Sequence, residues 1–404
     1  MFNKLGRLNR VVIAAGLMIA LLIIGAIVYS LDYRFVHSGN YRNGDFLSFW
    51  LAGRMALHGE DPYQADLWIG YHDLFGSTWV SDPTFLYPLP LAYFLVPLGF
   101  FSLGAAYSLW MFLSQLAVAC SLGLVISLWR HPRLRHMVIP VFAGAFLFRP
   151  TMLTLRNGQL GAMLLLILVG AVYLWEKGRW VSGAALFALL ILKPQLGAPI
   201  IILGMIWLLA CKRYNALAGI AVTLSALFLL GWIQNPSWLV EFLSTGHDKL
   251  IQTFGYSPTA WGAAHMVCGG RLPCTVAMGC LSSLILAGLV AQILVRGKDK
   301  LSPALALSLC VVAALLVTPY GWVYDQILLV LPISVLAMTF YEKKFPYLLS
   351  ALTFLAISIL SLILLWVAFG VQKDTWSVLI PLLCLGLTIW CARDRISGLT
   401  PSAL

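Results

Sequence analysis

The chain alternates between long apolar runs and shorter polar segments along most of its length. An apolar run of about 20 residues crosses the hydrocarbon core of a bilayer as a helix. Runs of about that length cover residues 11–31, 104–129, 159–176, 214–233, 275–295, 302–318, 323–340, 346–369 and 377–392. Shorter runs cover 85–101, 137–153, 181–192 and 196–211. The pattern predicts an all-α polytopic membrane protein with about 11–13 transmembrane or re-entrant helices.

Two polar segments interrupt the series, at residues 32–84 and 234–274. We expect both to form outer loops of one integral membrane domain that extends over residues 1–404. No long internal repeat is visible, and the two large polar segments do not occupy matching positions in two halves, as they often do in transporters.

The first outer segment has the pattern of two short helices. Apolar positions at helical spacing begin at Phe46, and Gly59 is a typical C-terminal stop. Asp61 is predicted to cap a second helix with Pro62 at its first position, ending near Gly76. Aromatic-rich amphipathic helices of this kind lie in the membrane interface. One side of the second helix would carry Leu67, Tyr71, Leu74 and Phe75.

Composition and charge agree with a membrane protein and indicate its orientation. The chain is 61% hydrophobic and 10% charged, which excludes a soluble globular domain. Its net charge of +11 is spread over small clusters between apolar runs, as in cytoplasmic loops, and not along a nucleic-acid-binding stripe. The basic N-terminus before residue 11 predicts a retained first span. The clusters are Arg130/Arg133/Arg135, Lys177/Arg179, Lys212/Arg213, Arg296/Lys298/Lys300, Lys343/Lys344 and Arg393/Arg395.

All of these clusters lie on one side of the membrane only if some runs do not cross it. We therefore predict that residues 85–101 dip into the membrane and return, and that 181–211 form a hairpin with its turn at Leu192–Gln195. Under that topology the turn, the segment "RNGQ" and Asp45 face the same outer side.

Of the eight cysteines, two lie in the second outer loop, in the segment "CGGRLPC". Cys268 and Cys274 there can form a small disulfide loop or stay free thiols, and we favour the disulfide. The others lie in or beside apolar runs, where a thiol behaves as a small hydrophobic group.

Asp45 begins the first loop helix and is a candidate general base. A carboxylate fixed on a helix at the membrane interface can accept a proton from the head group of a lipid-borne substrate. The alternative is a helix cap with no chemical role. Nearby aromatic residues, including Trp50 and Tyr87, are candidates for stacking on a sugar ring.

Lys193, in "ALLILKPQLGAP", is flanked by apolar residues. A cation within the membrane is usually paired and functional. Pro194 breaks the helix and leaves backbone carbonyls without partners, which a membrane protein tolerates where the chain lines a cavity. A phosphate or pyrophosphate ligand fits this cation, and a lysine that only reaches toward the interface is the alternative.

Two further segments combine charged, amide and aromatic residues. "FRPTMLTLRNGQLG" contains Arg149, Arg156, Asn157 and Gln159, which suit phosphate oxygens and sugar hydroxyls but also helix caps. "VTPYGWVYDQ" contains Tyr320, Tyr324 and Asp325. An interfacial aromatic belt accounts for the tyrosines but not for the aspartate. His247 in the second loop is a weaker candidate, since most loop histidines are surface residues.

The segments "GDFLSFWLAGRMALHGEDPY", "FLYPLP", "RNGQLG", "WEKGRWVSGAALFALLILKPQ" and "TPYGWVYDQ" together resemble the GT-C glycosyltransferases. Within that superfamily they resemble glycosyltransferase family 87, which includes a mycobacterial phosphatidylinositol-mannoside mannosyltransferase. In this chain Leu89 separates two prolines that the family usually has adjacent, at Pro88 and Pro90.

This resemblance implies a GT-C fold and an integral membrane hexosyltransferase of cell-envelope glycolipid biosynthesis. Its donor would be a polyprenyl-phosphate sugar, such as one carrying mannose, and its acceptor a membrane lipid or glycan. Transfer would proceed with inversion on the outer face of a bacterial plasma membrane, with Asp45 as base and Lys193 at the "KP" motif.

Other function classes remain as alternatives. A transporter or flippase of a lipid-linked or anionic substrate would explain the spans and Lys193, but not two loop helices led by Asp45. A non-catalytic subunit that binds a lipid-linked sugar is a third class. No HExxH, DxD, Walker or dinucleotide-binding pattern is present, so no cofactor is expected, while a divalent metal stays open.

Overall fold

A computed structural model describes residues 23–39, 42, 44–77, 84–129, 137–343, 347–371 and 374–397, without the side chains of 247–250, 347–351 and 369–371. Every regular element in that part of the chain is a helix. Most of the predicted first span, and the cluster Arg130/Arg133/Arg135, lie outside the described residues.

Eighteen α-helices follow one another in the described residues. They are α1 (23–38), α2 (Phe46–Leu57), α3 (Ala65–Leu74), α4 (Leu89–Gly99), α5 (Leu103–Ser127), α6 (Val138–Leu147), α7 (Arg149–Arg156), α8 (Gly161–Glu176), α9 (Trp180–Ala188), α10 (Pro194–Ala210), α11 (Tyr214–Gln234), α12 (Trp238–Thr253), α13 (Ala260–Val267), α14 (Leu272–Arg296), α15 (Pro303–Val317), α16 (Val330–Glu342), α17 (Tyr347–Val371) and α18 (Leu379–Ser397). Short 3-10 helices cover Leu189–Leu192, Phe254–Tyr256, Val323–Leu329 and Asp374–Val378.

The prediction of an all-α polytopic membrane protein is confirmed. Five helices of the described chain are long and apolar enough to cross a membrane, or six if α6 and α7, bent by 57°, form one span. Several more apolar helices are shorter, including α8, α10 and α15. Many side chains on α11, α14 and α17 are apolar and exposed, such as Leu284 (72% exposed) on α14. Surfaces of that kind face lipid.

Helix α15 lies at the centre of the molecule. Almost all of its side chains are buried, and it contacts α8, α10, α14, α16 and α18. A helix that is apolar on all sides lies either within a protein core or against lipid, and α15 is enclosed by other helices. The 3-10 helix that follows it, Val323–Leu329, packs against α7, α8, α15 and α16 inside the bundle.

The predicted hairpin is confirmed. The rings of Trp180 and Trp207 lie 6.2 Å apart near one end of α9 and α10, whereas Gly197 packs against the Leu190 carbonyl near the other. The two arms therefore run antiparallel, and Lys193 lies at the tip, where Pro194 begins the second arm.

In the first loop, α2 is mostly enclosed by protein. Phe49 contacts Tyr87 before α4, and a Cβ atom at Gly53 would approach the Leu95 carbonyl oxygen to 2.4 Å. The close approach requires glycine there and brings α2 and α4 side by side. The predicted stop at Gly59 is also confirmed, with φ of +74°.

The predicted start of the second loop helix is wrong. Helix α3 begins at Ala65, because Asp61 makes two other contacts. Its Oδ1 accepts from the Tyr63 backbone N–H at 2.9 Å, and its Oδ2 accepts from the Asn235 side chain at 2.7 Å. Burial raises the pKa of the Asp61 carboxyl.

The apolar side predicted for the second helix is expected to face the membrane interface, and its two leucines are exposed. Helix α3 buries Trp68 and His72, whereas Leu67 and Leu74 are 40% and 71% exposed. The buried face is therefore partly polar.

The helices arrange the charged residues at two ends of the bundle. The Arg213 guanidinium lies over the Trp180 ring, and the Cys211 thiol contacts the Lys298 carbonyl. Near the same clusters Lys343 pairs with Asp394 at 2.5 Å. The hairpin tip and the segment after α15 are at the opposite ends of these helices.

Candidate active site

A cavity of about 390 Å³ opens at the end of the bundle where the hairpin tip lies. Small-ligand sites commonly measure about 300–1,000 Å³. Its wall is formed by the start of α2, the α7–α8 turn, the hairpin tip and the segments before α4 and after α15. The lining residues are Arg42, Gly44, Asp45, Leu47, Ser48, His72, Ser77, Thr84, Leu86, Tyr87, Asn157, Gln159, Gln195, Tyr320, Trp322 and Tyr324.

Asp45 is the one carboxylate among the described lining residues. It precedes α2, but its side chain accepts no hydrogen bond from the first turn of that helix. Its Oδ2 instead accepts from the Gln159 side-chain amide at 2.6 Å. The carboxylate is thus oriented by another element and not by helix capping.

The turn between α7 and α8 positions Gln159. Helix α7 ends with Gly158 at φ +63°, and the backbone N–H groups of Gly158 and Gln159 donate to the Leu155 and Thr154 carbonyls. This is a Schellman motif, which requires a left-handed residue that glycine adopts most readily. A Cβ atom on Gly158 would lie 2.6 Å from the Phe46 Cβ, so glycine also brings the turn against the start of α2.

Lys193 and Asp325 form a buried ion pair behind Gln159. The Lys193 Nζ lies 2.5 Å from Asp325 Oδ1, and each side chain is 1% exposed. The same ammonium donates to Gln159 Oε1 at 3.4 Å. Asp325 Oδ2 accepts from the Trp322 backbone N–H at 2.9 Å. Neither charged group lines the cavity, but a continuous chain of hydrogen bonds links them to Asp45.

Three aromatic side chains after α15 form one wall of the cavity. The Trp322 ring stacks near Tyr324, and its indole N–H donates to the Tyr320 hydroxyl at 2.9 Å. The Lys193 ammonium lies 4.9 Å from the Tyr324 ring centroid, a cation–π contact. The wall therefore offers aromatic faces and a hydroxyl to a ligand, as sugar sites do.

Several candidates from the sequence are brought together here and others are not. Asp45, Tyr87, Asn157, Gln159, Tyr320 and Tyr324 line the cavity.

Three further candidates do not line the cavity. Arg149 is 5% exposed and pairs with Asp374 at 2.8 Å. The buried Trp50 donates to the Phe101 carbonyl. Arg156 is exposed, and its carbonyl accepts from the Tyr107 hydroxyl. The His247 side chain lies outside the described residues.

The sequence interpretation missed Arg42 and His72. Arg42 lies three residues before Asp45, and an exposed basic residue there resembles an ordinary interfacial anchor. The buried His72 donates its Nδ1–H to the Trp68 carbonyl at 2.8 Å and lines the cavity. The sequence pattern gave no signal for His72, because only the structure shows that this side of α3 is buried.

No group of three or more His, Cys, Asp or Glu side chains arranged to hold a metal ion occurs among the described residues. In the second loop, the sulfurs of Cys268 and Cys274 are bonded at 2.05 Å.

The model of glycosyltransferase family 87 matches residues 85–319, more than half of the 404-residue chain. The chain belongs to glycosyltransferase family 87. No curated protein gives a significant match. The family match covers Tyr87, Gln159 and Lys193 of this glycosyltransferase, whereas Asp325 lies six residues after its end and Asp45 lies 40 residues before its start. A role for Asp45 therefore has to be argued from the geometry of the cavity.

Proposed function

We propose that this membrane glycosyltransferase moves a sugar, such as mannose, from a polyprenyl-phosphate donor to a lipid or glycan acceptor, with Asp45 as the general base. One observation carries the proposal. Asp45 is the one carboxylate among the described residues that line the cavity, and it is oriented by Gln159 although it stands at a helix start. A carboxylate held in this way is suited to accept a proton.

The proposed transfer is a single displacement with inversion. The acceptor hydroxyl gives its proton to Asp45 while its oxygen attacks the anomeric carbon. The bond between that carbon and the phosphate oxygen breaks, and the electron pair leaves with the phosphate. A base and a leaving group on opposite faces of the sugar produce inversion, as in inverting glycoside hydrolases.

The leaving phosphate needs a cation to balance its developing charge. Arg42 lines the cavity, and its planar guanidinium matches phosphate oxygens. Lys193 is enclosed beside Asp325, so we assign it a positioning role: it fixes Gln159, which in turn fixes Asp45. This assignment replaces the direct phosphate contact expected from the sequence.

The donor in this proposal is a membrane lipid, and the acceptor is a lipid or a glycan at the same face of the membrane. The cavity lies at the end of the bundle away from the basic clusters Lys212/Arg213 and Arg296/Lys298/Lys300. Basic clusters favour the cytoplasmic side, which supports a site open to the outer face of a bacterial plasma membrane. The aromatic wall suits a pyranose or a furanose equally.

The test is a transfer assay with the purified, reconstituted protein. Radiolabelled polyprenyl-phosphate sugars are supplied with a membrane lipid extract, and wild type is compared with Asp45→Asn. We expect at least about 100-fold less transfer by Asp45→Asn, the lower end of the usual contribution of a general base. Asparagine can still accept from Gln159, so the position of the side chain should be preserved.

Asp66→Asn is the matched control, because Asp66 is an exposed aspartate on α3 outside the cavity. It should transfer as wild type does. Wild-type rates in Asp45→Asn would refute the base assignment. No transfer from any donor, combined with substrate-dependent counterflow in vesicles, would favour a transporter or flippase instead.

A further inference from the structure

A second cavity of about 470 Å³ lies beside the first and shares Arg42 with it. It is formed between α1, α2, the end of α3 and the start of α5. The described residues that line it are His37, Arg42, Trp50, Arg54, Leu74, Phe75, Gly76, Ser102, Leu103 and Gly104.

The lining is cationic. Its two cations are Arg42 and Arg54, and none of its described members is a carboxylate. The Arg54 guanidinium lies 5.4 Å from the Trp50 ring centroid and donates to the Gly99 carbonyl at 3.1 Å. Those contacts fix its plane, and the single hydrogen bond engages one of five N–H donors. A fixed guanidinium is suited to bind an oxyanion.

The first turn of α5 adds a second source of positive potential. Ser102, Leu103 and Gly104 begin a helix of 25 residues, and no side chain caps it. Backbone N–H groups at such an end favour a negative charge. A Cβ atom at position 104 would lie 2.5 Å from His37 Nε2, so glycine allows the imidazole to rest on this turn.

The surroundings of the second cavity are apolar and exposed. Leu74 in its wall and Phe100, two residues before Ser102, are each 71% exposed, and Phe101 is 47% exposed. A soluble anion would gain nothing from these side chains, whereas a hydrocarbon chain would cover them. The cavity is lined by arginines and surrounded by exposed apolar side chains, so it suits an amphiphile with an anionic head group.

We infer that the second cavity binds the phosphate group of a lipid, held by Arg54, Arg42 and the first turn of α5. The inference rests on the proposed function and extends it, since a lipid phosphate here would adjoin the sugar cavity through Arg42. The phosphate belongs either to the isoprenoid carrier or to a glycerophospholipid acceptor, which share this chemistry.

The experiment measures equilibrium binding of radiolabelled farnesyl phosphate to the detergent-solubilised full chain. We expect Arg54→Gln to weaken binding about tenfold, because a charge-assisted hydrogen bond is lost. Arg54→Lys should recover part of the affinity. Arg213→Gln is the matched control, since Arg213 also lies over a tryptophan, Trp180, but at the opposite end of the bundle. It should bind as wild type does.

The neutral alcohol farnesol should bind at least about tenfold more weakly than the phosphate. His37→Gln gives a second variant, at an exposed residue, with a weaker effect expected in the same direction. Competition separates the two lipid sources. If dihexanoyl phosphatidylglycerol displaces farnesyl phosphate from wild type better than from Arg54→Gln, the site also accepts the acceptor class. If it displaces neither, the site is specific for the carrier.

The inference is overturned if Arg54→Gln and His37→Gln both bind farnesyl phosphate like wild type, or if farnesol binds equally well. Asp45→Asn should keep wild-type binding. The transfer assay on Asp45→Asn tests the base, and the binding assay tests the lipid site. Either hypothesis can therefore fail without the other.

Discussion

At the scale of single residues, Gln159 joins two groups with different surroundings. Its amide N–H₂ donates to Asp45 in the cavity, while its carbonyl accepts from Lys193 in the interior. Because Lys193 can only donate, the orientation of the amide is fixed. The buried Lys193 thereby determines that the amide nitrogen of Gln159, and not its oxygen, faces the cavity.

Replacing one member of the buried pair should destabilise the protein strongly. Lys193→Met leaves the Asp325 carboxylate enclosed without its cation, for which we expect a loss of about 3–5 kcal/mol in the free energy of unfolding. The double variant Lys193→Met/Asp325→Asn removes both charges and should be more stable than the single one. Denaturant unfolding in detergent of wild type, Lys193→Met, Asp325→Asn and the double variant completes a double-mutant cycle.

Lys343→Met provides the comparison. Lys343 and Asp394 are also 2.5 Å apart, but they are 14% and 15% exposed, so water can solvate the remaining charge. Its effect should be smaller than that of Lys193→Met. Equal effects in the two variants, or additive effects in the cycle, would contradict a buried ion pair at Lys193.

At the scale of elements, two helices end in the same motif under different constraints. Helices α7 and α8 are both followed by a left-handed glycine, Gly158 and Gly178, with Schellman hydrogen bonds. A Cβ atom on Gly178 would meet nothing within 4 Å, whereas one on Gly158 would meet Phe46 and Tyr107. An alanine at either position therefore strains the backbone, but only an alanine at Gly158 also collides with neighbouring side chains.

Gly158→Ala should lose transfer activity, and Gly178→Ala should not. Both place alanine at positive φ, which destabilises each variant by about 1–2 kcal/mol. Only Gly158→Ala also forces the turn away from α2, which displaces Gln159 from Asp45. Thermal unfolding and the transfer assay, run on both variants, test this. Equal activity in the two would show that the turn tolerates movement.

The sequence was informative wherever a membrane or a local motif dictates structure. Bilayer thickness fixes the length of apolar runs, so the spans were predictable, and the positions of the basic clusters predicted the hairpin. The start of α3 was not, because Asp61 contacts Asn235, which lies 174 residues further along. Arg149 is likewise taken up by Asp374, 225 residues away. Pairings over such separations leave no periodic signal.

At the scale of the whole molecule, the described helices separate two kinds of chemistry. Basic clusters and their ion pairs gather at one end, and the cavity with its polar network lies at the other. The disulfide Cys268–Cys274 joins the end of α13 to the first turn of α14 near the cavity end, where Trp261 of α13 donates to the Val317 carbonyl. A disulfide persists in an oxidising compartment, so this end should face outward.

Labelling with a membrane-impermeant maleimide tests that orientation. In Cys268→Ser, the freed thiol of Cys274 should react in intact cells, with wild type without reductant as background. Tyr214→Cys, at a residue that is 60% exposed at the opposite end, should react only after permeabilisation. The reverse pattern would place the cavity in the cytoplasm.

The ion pair at the hairpin tip also has a consequence for biosynthesis. Lys193 leaves the ribosome 132 residues before Asp325, an interval on the order of ten seconds at about 5–20 residues per second. Lys193 is flanked by apolar residues, and an uncompensated lysine within the membrane raises the free energy of insertion. We therefore expect the nascent hairpin to wait, its tip hydrated, until α15 and the segment after it emerge. The end of the bundle that holds the cavity would be among the last parts assembled.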